Sequence, residues 1–251
     1  MVADVGEVPT RGLCRTGVTA NDGGALPGAA PEPPAYSQRR WAAPPGATEV
    51  LLVRHGASVP AVPGVDFPLV DGHGDPPLAD DGLAQAQLVA ERLVGTQVDG
   101  LFVTTLTRTK QTAAPLAARL GVEPVVVPEL REVFLGDWEG GTFRIKVAHE
   151  DPVALRMLEE ERWDVIPGAE SSEDFAARVR KGVEEVATAV GPDRVAVAVV
   201  HGGVIGEACR QATASRGFAF THADNCSITR IVVLPDGRWL LRGFNDTCHL
   251  G

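Results

Sequence analysis

The chain has 251 residues and a formal net charge of −10, and 44% of it is hydrophobic. That length supports one substantial core, and the apolar share excludes an intrinsically disordered chain. The acidic balance argues against nonspecific nucleic-acid binding and against an anionic membrane surface, yet a local cluster of cations can still hold an anionic small molecule.

Residues 1–46 hold 7 of the 19 prolines and have no periodic apolar pattern. They read as a disordered leader, with Arg11, Arg15, Arg39 and Arg40 leaving a weak targeting reading below it. Residues 47–251 are expected to form a single domain. No apolar run is long enough to span a membrane. Cys14, Cys209, Cys226 and Cys248 lack the paired spacing of a metal site. They are expected to remain thiols in a reducing, cytoplasmic compartment.

Val50 to Val53 is a short apolar run that predicts a strand buried on both faces. Arg54, His55 and Gly56 follow it directly. Ligands of α/β proteins bind just beyond the carboxyl ends of strands. An arginine there offers a planar fork of donors for phosphate, and a histidine can serve as nucleophile, base or metal ligand. Val59 to Pro77 is rich in Pro, Gly and Asp and predicts a long loop over the same site, with His73 and Asp75 either touching substrate or only organising the loop.

Leu78 to Val94 has helical spacing, with Asp80 and Asp81 as N-cap candidates. Leu101 to Val103 predicts a second strand and Thr104 to Leu120 a helix stopped by Gly121. Arg108 falls near that helix's N-terminus, where free backbone N–H groups already favour an anion. Val125 to Val127 predicts a third strand. Glu129 to Gly141 is irregular, a shaped loop around Trp138. Phe143 to Glu161 is a charged helical region interrupted by Pro152, and Ser171 to Val190 is an amphipathic helix capped by Ser171 or Ser172.

Val195 to Val200 repeats the opening design, a buried strand that ends at His201-Gly202-Gly203. Val204 to Ala212 predicts the next helix. Ile228 to Leu234 and Arg238 to Arg242 flank Pro235-Asp236-Gly237, a hairpin signal. Alternating strands and helices with a late antiparallel pair predict a three-layer α/β/α sandwich with a mostly parallel sheet.

Four segments carry a resemblance. Leu-Val-Arg-His-Gly at 52–56, Thr104 to Ala113 with Arg108 and Gln-Thr-Ala, Leu130 to Gly140, and Val200-His-Gly-Gly203 resemble the histidine phosphatase superfamily, the phosphoglycerate mutase-like group. The resemblance covers Glu49 to about Arg242. It implies that His55 is a nucleophile that becomes phosphohistidine. It also implies that Arg54, Arg108 and His201 hold the phosphoryl oxygens and that Glu132 donates a proton to the leaving oxygen. Ser58 and Gly202 are expected to add substrate contacts. His55 must then present a neutral nitrogen, with its other nitrogen donating to a fixed acceptor such as a backbone carbonyl. Glu132 must hold its proton near neutral pH, which burial beside Phe134 or Trp138 would favour. The family's frequent Asn a few residues after the first motif is missing, and His73 or a backbone N–H is the expected substitute. Asp99, Glu139 and His222 are read as structural, and Cys226 as a packed thiol.

The expected function is phosphomonoester hydrolysis on a small phosphorylated substrate, with no metal or other cofactor because the cations are side chains. The alternative is a phosphoglycerate mutase. The mutases carry extra helical sequence after the acid loop and a longer tail, and this chain is compact there. A noncatalytic phospholigand-binding module ranks lower. So does a metallohydrolase built on His55, His73 and His201, since the chain lacks His-x-His spacing. No nucleic-acid or membrane partner is expected, and a homodimer is left open.

Overall fold

The first strand, β1 (Thr48–Arg54), owes its central place to Val50–Val53, four successive residues with no hydrophilic face. A computed structural model of the chain describes residues 36–38 and 40–251. The leader expected over 1–46 lies mostly outside the described residues, as do Cys14, Arg11, Arg15 and Arg39.

The elements after β1 are β2 (Leu69–Val70), β3 (His73–Gly74), α1 (Asp80–Leu93), β4 (Gly100–Val103), α2 (Thr107–Leu120), β5 (Val125–Val126), α3 (Thr142–Ala148), α4 (Pro152–Glu160), α5 (Ser172–Val190), β6 (Val195–Val200), α6 (Gly202–Thr213), β7 (Ile228–Val233) and β8 (Trp239–Asp246). The main sheet runs β5-β4-β6-β1-β7-β8. Its first four strands are parallel, and β7 and β8 add an antiparallel edge.

Alternation along β1 divides the core. Val50 and Leu52 face one way, onto Phe175, Val179 and Val183 of α5 and Ile205 of α6. Leu51 and Val53 face the other way, onto Val89 and Leu93 of α1 and Leu116 of α2. Helices therefore cover both faces, which makes the three-layer α/β/α sandwich expected from the sequence. A separate small cluster of Trp138, Ala154, Met157, Val165 and Ile166 supports the segment between β5 and α5.

Several boundaries differ from the sequence reading. Asp80 and Asp81 do not cap α1, whose N-cap is Ala79 with no side-chain bond. The run expected to be helical from Thr104 begins at Thr107, because Thr104 takes part in a turn. The segment Val59–Pro77 is not wholly irregular. Asp71 and Gly72 both have positive φ, 49° and 82°. They close a two-residue hairpin between β2 and β3, the turn that Asp-Gly favours. Ser171 does cap α5, accepting from the N–H of Asp174.

Candidate active site

β1 and β6 are neighbouring parallel strands with Arg54 opposite Val200. Both chains leave the sheet at the same edge, and the N–H of His55 donates to the Val200 carbonyl at 2.9 Å. The residues that follow, His55 and His201, therefore meet: their ring centroids lie 5.2 Å apart at 60°. β4, on the other side of β6, ends at that edge too, and α2 leaves from it with Arg108 in its first turn.

His55 is 5% exposed. Its Nδ1 lies 2.7 Å from the carbonyl of Gly56. A carbonyl only accepts, so Nδ1 carries the ring proton and Nε2 keeps its lone pair. Arg108 Nε donates to that Nε2 at 3.2 Å. Burial holds His55 well below the usual histidine range, and the charges of Arg108 and Arg54 lower it further. The imidazole is thus neutral, with its basic nitrogen turned toward the guanidinium.

His201 is fully buried. Its pKa is also well below the ordinary value, first through burial and then through Arg108 and His55. Its Nε2 is 3.0 Å from Thr104 Oγ1. Two buried atoms at this rim, Arg54 Nε and His201 Nδ1, have no hydrogen-bond partner among the described residues. Leaving such atoms unpaired is costly, so the rim is built for an acceptor. Arg54 is anchored through Nη1 to the Ala223 carbonyl. Arg108 is anchored through Nη1 to Gly74 O at 2.9 Å and lies 3.9 Å from Asp75.

Asp75 organises the loop rather than the ligand. One of its oxygens accepts from the N–H of Thr107 at 2.7 Å and the other from its hydroxyl at 2.6 Å. It therefore caps α2 from outside and sets Arg108 beside His55. The Gln-Thr pair of the second motif has a similar task. Thr112 accepts from the N–H of Gly56, and Gln111 accepts from that of Leu78.

Glu132 reaches the rim from the acid loop. Its Oε2 accepts from the N–H of Gly203 at 3.2 Å and its Oε1 from that of Val133 at 3.0 Å. A Cβ on Gly203 would lie 2.5 Å from Glu132 Oε1, so the second glycine of His-Gly-Gly is what lets the carboxylate approach α6. The carboxylate engages α6, while Phe134 packs on His73 and Trp138 on Phe143. A cavity of about 250 Å³ opens over these groups, floored by Arg54, His55, Arg108 and Glu132 and walled by Phe67, His73, Phe143, Arg144 and Trp163. A larger groove of about 700 Å³ lies between α2 and β5. It contains none of these groups, so its volume says nothing about the chemistry.

The model of the histidine phosphatase superfamily (branch 1) matches residues 50–247. The chain belongs to the histidine phosphatase superfamily. A Hydrogenobacter thermophilus member of similar sequence, which bears the name of a phosphoserine phosphatase, is 31% identical over 203 residues, 80% of this chain and 96% of its own. Phosphoglycerate mutase-like protein 4 of Arabidopsis thaliana is 30% identical over 206 residues, 80% and 86% of the two chains. The native structure of a mycobacterial glucosyl-3-phosphoglycerate phosphatase has a TM-score of 0.65 and 28% identity, covering 80% of this chain and 100% of that one.

Within this histidine phosphatase fold, Arg54, His55, Arg108, Glu132 and His201 come together as the sequence reading expected. His201, Ser58 and Gly202 do not line the cavity, and His201 reaches the cluster from a fully buried position against the His55 ring. The Ser58 hydroxyl accepts from Arg144 Nη2 at 2.7 Å, and Gly202 packs against Arg54 at the start of α6. His73 does wall the cavity. Glu139 also lines it, but its oxygens accept from the N–H groups of Gly74 and Leu135, which ties the hairpin to the acid loop. Cys226 is core, and burial pushes its thiol up to about 12. Arg144 and Arg178 are contributors that no motif announced: one sits in a charged helical stretch and the other inside an amphipathic helix. No group of three His, Cys, Asp or Glu placed to hold a metal occurs among the described residues.

Proposed function

We propose that this chain hydrolyses phosphate monoesters through a phosphohistidine on His55. The observation that carries the reading is the neutral His55 imidazole with Nδ1 pinned on Gly56 O, Nε2 facing Arg108 and His201 beside it. In the first step the Nε2 lone pair forms the N–P bond as the P–O bond to the alcohol breaks. Glu132 gives its proton to the departing oxygen. Arg54 Nε and Arg108 carry the equatorial charge, which is the main demand of phosphoryl transfer. With the Thr104 hydroxyl donating to His201 Nε2, Nδ1 bears that ring's proton and donates to a third oxygen. In the second step water attacks phosphorus, its proton returns to Glu132, and the N–P bond breaks. The phosphatase names among the relatives support hydrolysis of a small substrate. The unpaired thiols of Cys209, Cys226 and Cys248 support a reducing, cytoplasmic setting.

The test is a panel of phosphorylated metabolites with the full chain, followed by rapid acid-free quenching. His55→Ala is expected to abolish hydrolysis and to remove an acid-labile phosphoryl group that the wild type accumulates. Hydrolysis that survives this change overturns the reading.

A further inference from the structure

Glu132 sits in a loop whose regular structure is two short turns, Pro128–Leu130 and Gly136–Trp138, with Glu132 itself in neither. Such a backbone would ordinarily wander, and a proton donor must not. One side chain on α5 fixes it. Arg178 Nη1 donates to the carbonyls of Glu129 at 2.8 Å and Arg131 at 2.7 Å, and Nη2 donates to that of Glu132 at 2.8 Å. Its remaining donors go to Glu170, Nε to Oε1 at 2.6 Å and Nη2 to Oε2 at 2.7 Å. Every nitrogen of the guanidinium is thus engaged, three contacts on the acid loop and two on one carboxylate.

Glu170 closes the arrangement. Its Oε2 also accepts from the N–H of Phe134 at 3.2 Å, and its own N–H donates to the Phe134 carbonyl at 2.9 Å. The guanidinium lies over the Phe175 ring, 4.8 Å from the centroid. Phe175 in turn is in the core against which Gly203 and the Glu132 carboxylate meet. Both partners are half-buried, with side chains 21% and 15% exposed. A bidentate pair of this kind is stiffer than a surface ion pair, and its planar fork is what a lysine cannot copy.

We propose that Arg178, clamped by Glu170, is the positioning residue that aims Glu132 at the leaving oxygen. It touches no reacting atom. It holds the carbonyl of Glu132 itself and those of Arg131 and Glu129 just before it, so the carboxylate keeps one position relative to Gly203. The inference rests on Glu132 being the proton donor, and the experiment separates the two.

A proton donor matters most when the leaving group is a poor one. We compare kcat/KM, which reports events through formation of phosphohistidine, for glycerol 3-phosphate, phenyl phosphate and 2,4-dinitrophenyl phosphate. For Glu132→Gln the loss is expected to be about 100-fold or more on the first two and within about threefold on the last. Arg178→Lys and Glu170→Gln are expected to show the same pattern at smaller size, roughly tenfold against no change. Melting of the variants is followed alongside, because a misfolded fraction lowers all three substrates equally. Equal losses on all three substrates for both clamp variants, or no loss at all, overturn the positioning role while leaving Glu132 intact. If Glu132→Gln itself shows no dependence on the leaving group, the assignment of the donor falls first.

Discussion

Arg144 is where single-residue chemistry goes beyond the motifs. It stands at the mouth of the cavity with Nη1 on the Val59 carbonyl and Nη2 on Ser58, its guanidinium 5.4 Å from the centre of the Phe67 ring. These partners are neutral, so they fix the cation without neutralising it. Its pKa is lowered by desolvation and then by Arg54, which is the cost of bringing like charges to one cleft. A phosphorylated ligand removes that cost. Arg144→Ala is therefore expected to raise KM about tenfold with kcat little changed, the signature of lost uniform binding. Arg108→Ala, which strips the donor from His55 Nε2, is expected to lower kcat by about 10³-fold. Steady-state kinetics on one good substrate separates the two, and a kcat effect at Arg144 equal to that at Arg108 contradicts the division. The sequence made Arg108 legible because it lies at a fixed offset from a strand end in a motif. Arg144 was not legible, because its role depends on α3 folding back over the Ser58–Phe67 loop. No local pattern encodes that long-range contact.

At the scale of elements, the site depends on α1 docking closely against the turn after β1. A Cβ on Gly56 would lie 2.5 Å from the Gly82 carbonyl oxygen, and a Cβ on Gly82 would overlap that of Ala57. Both obstacles are backbone, so neither can swing aside. Gly→Ala inside a helix normally stabilises by about 0.5–1 kcal/mol. Here the sign is reversed: Gly82→Ala is expected to cost roughly 1–3 kcal/mol and to lower kcat by displacing His55. Urea unfolding checks the first half and turnover the second, and a stabilised variant would mean that α1 is not pressed on the Arg-His-Gly turn. The strands β1, β4 and β6 were legible because runs such as Val-Ala-Val-Ala-Val-Val have no polar face and so must be buried. The β2–β3 hairpin was missed although Asp71-Gly72 announces its turn, because two-residue strands leave no period to read. The cap of α2 was unreadable for another reason: Asp75 supplies it from 32 residues upstream.

For the whole molecule, the buried imidazoles of His55 and His201 couple folding to pH. Both titrate well below the ordinary histidine value of 6.5 in the folded chain, because burial and neighbouring guanidinium groups disfavour the charged ring. In the unfolded chain they return to about 6.5. Below that pH the unfolded state binds protons that the folded state refuses, so acid favours unfolding. Stability contributed by the neutral rings is full above about 6.5 and is lost as pH falls toward their folded values. Each group sets a slope of up to about 1.4 kcal/mol per pH unit. The carboxylates with depressed values, such as Asp99 and Glu129, lose their contributions only below their own unfolded values near 4, so the histidines dominate between 6.5 and 5. Urea midpoints measured across that interval are expected to fall steadily on acidification. His201→Gln, which keeps a polar side chain without the titration, is expected to roughly halve the slope. Activity carries a different signature: burial holds the proposed nucleophile His55 well below the ordinary histidine range, so kcat/KM is expected to hold as pH first falls below 6.5 even as the fold weakens. A stability profile that is flat over this interval would mean that the rings exchange protons freely in the folded state, and a nucleophile poised by burial would no longer describe His55.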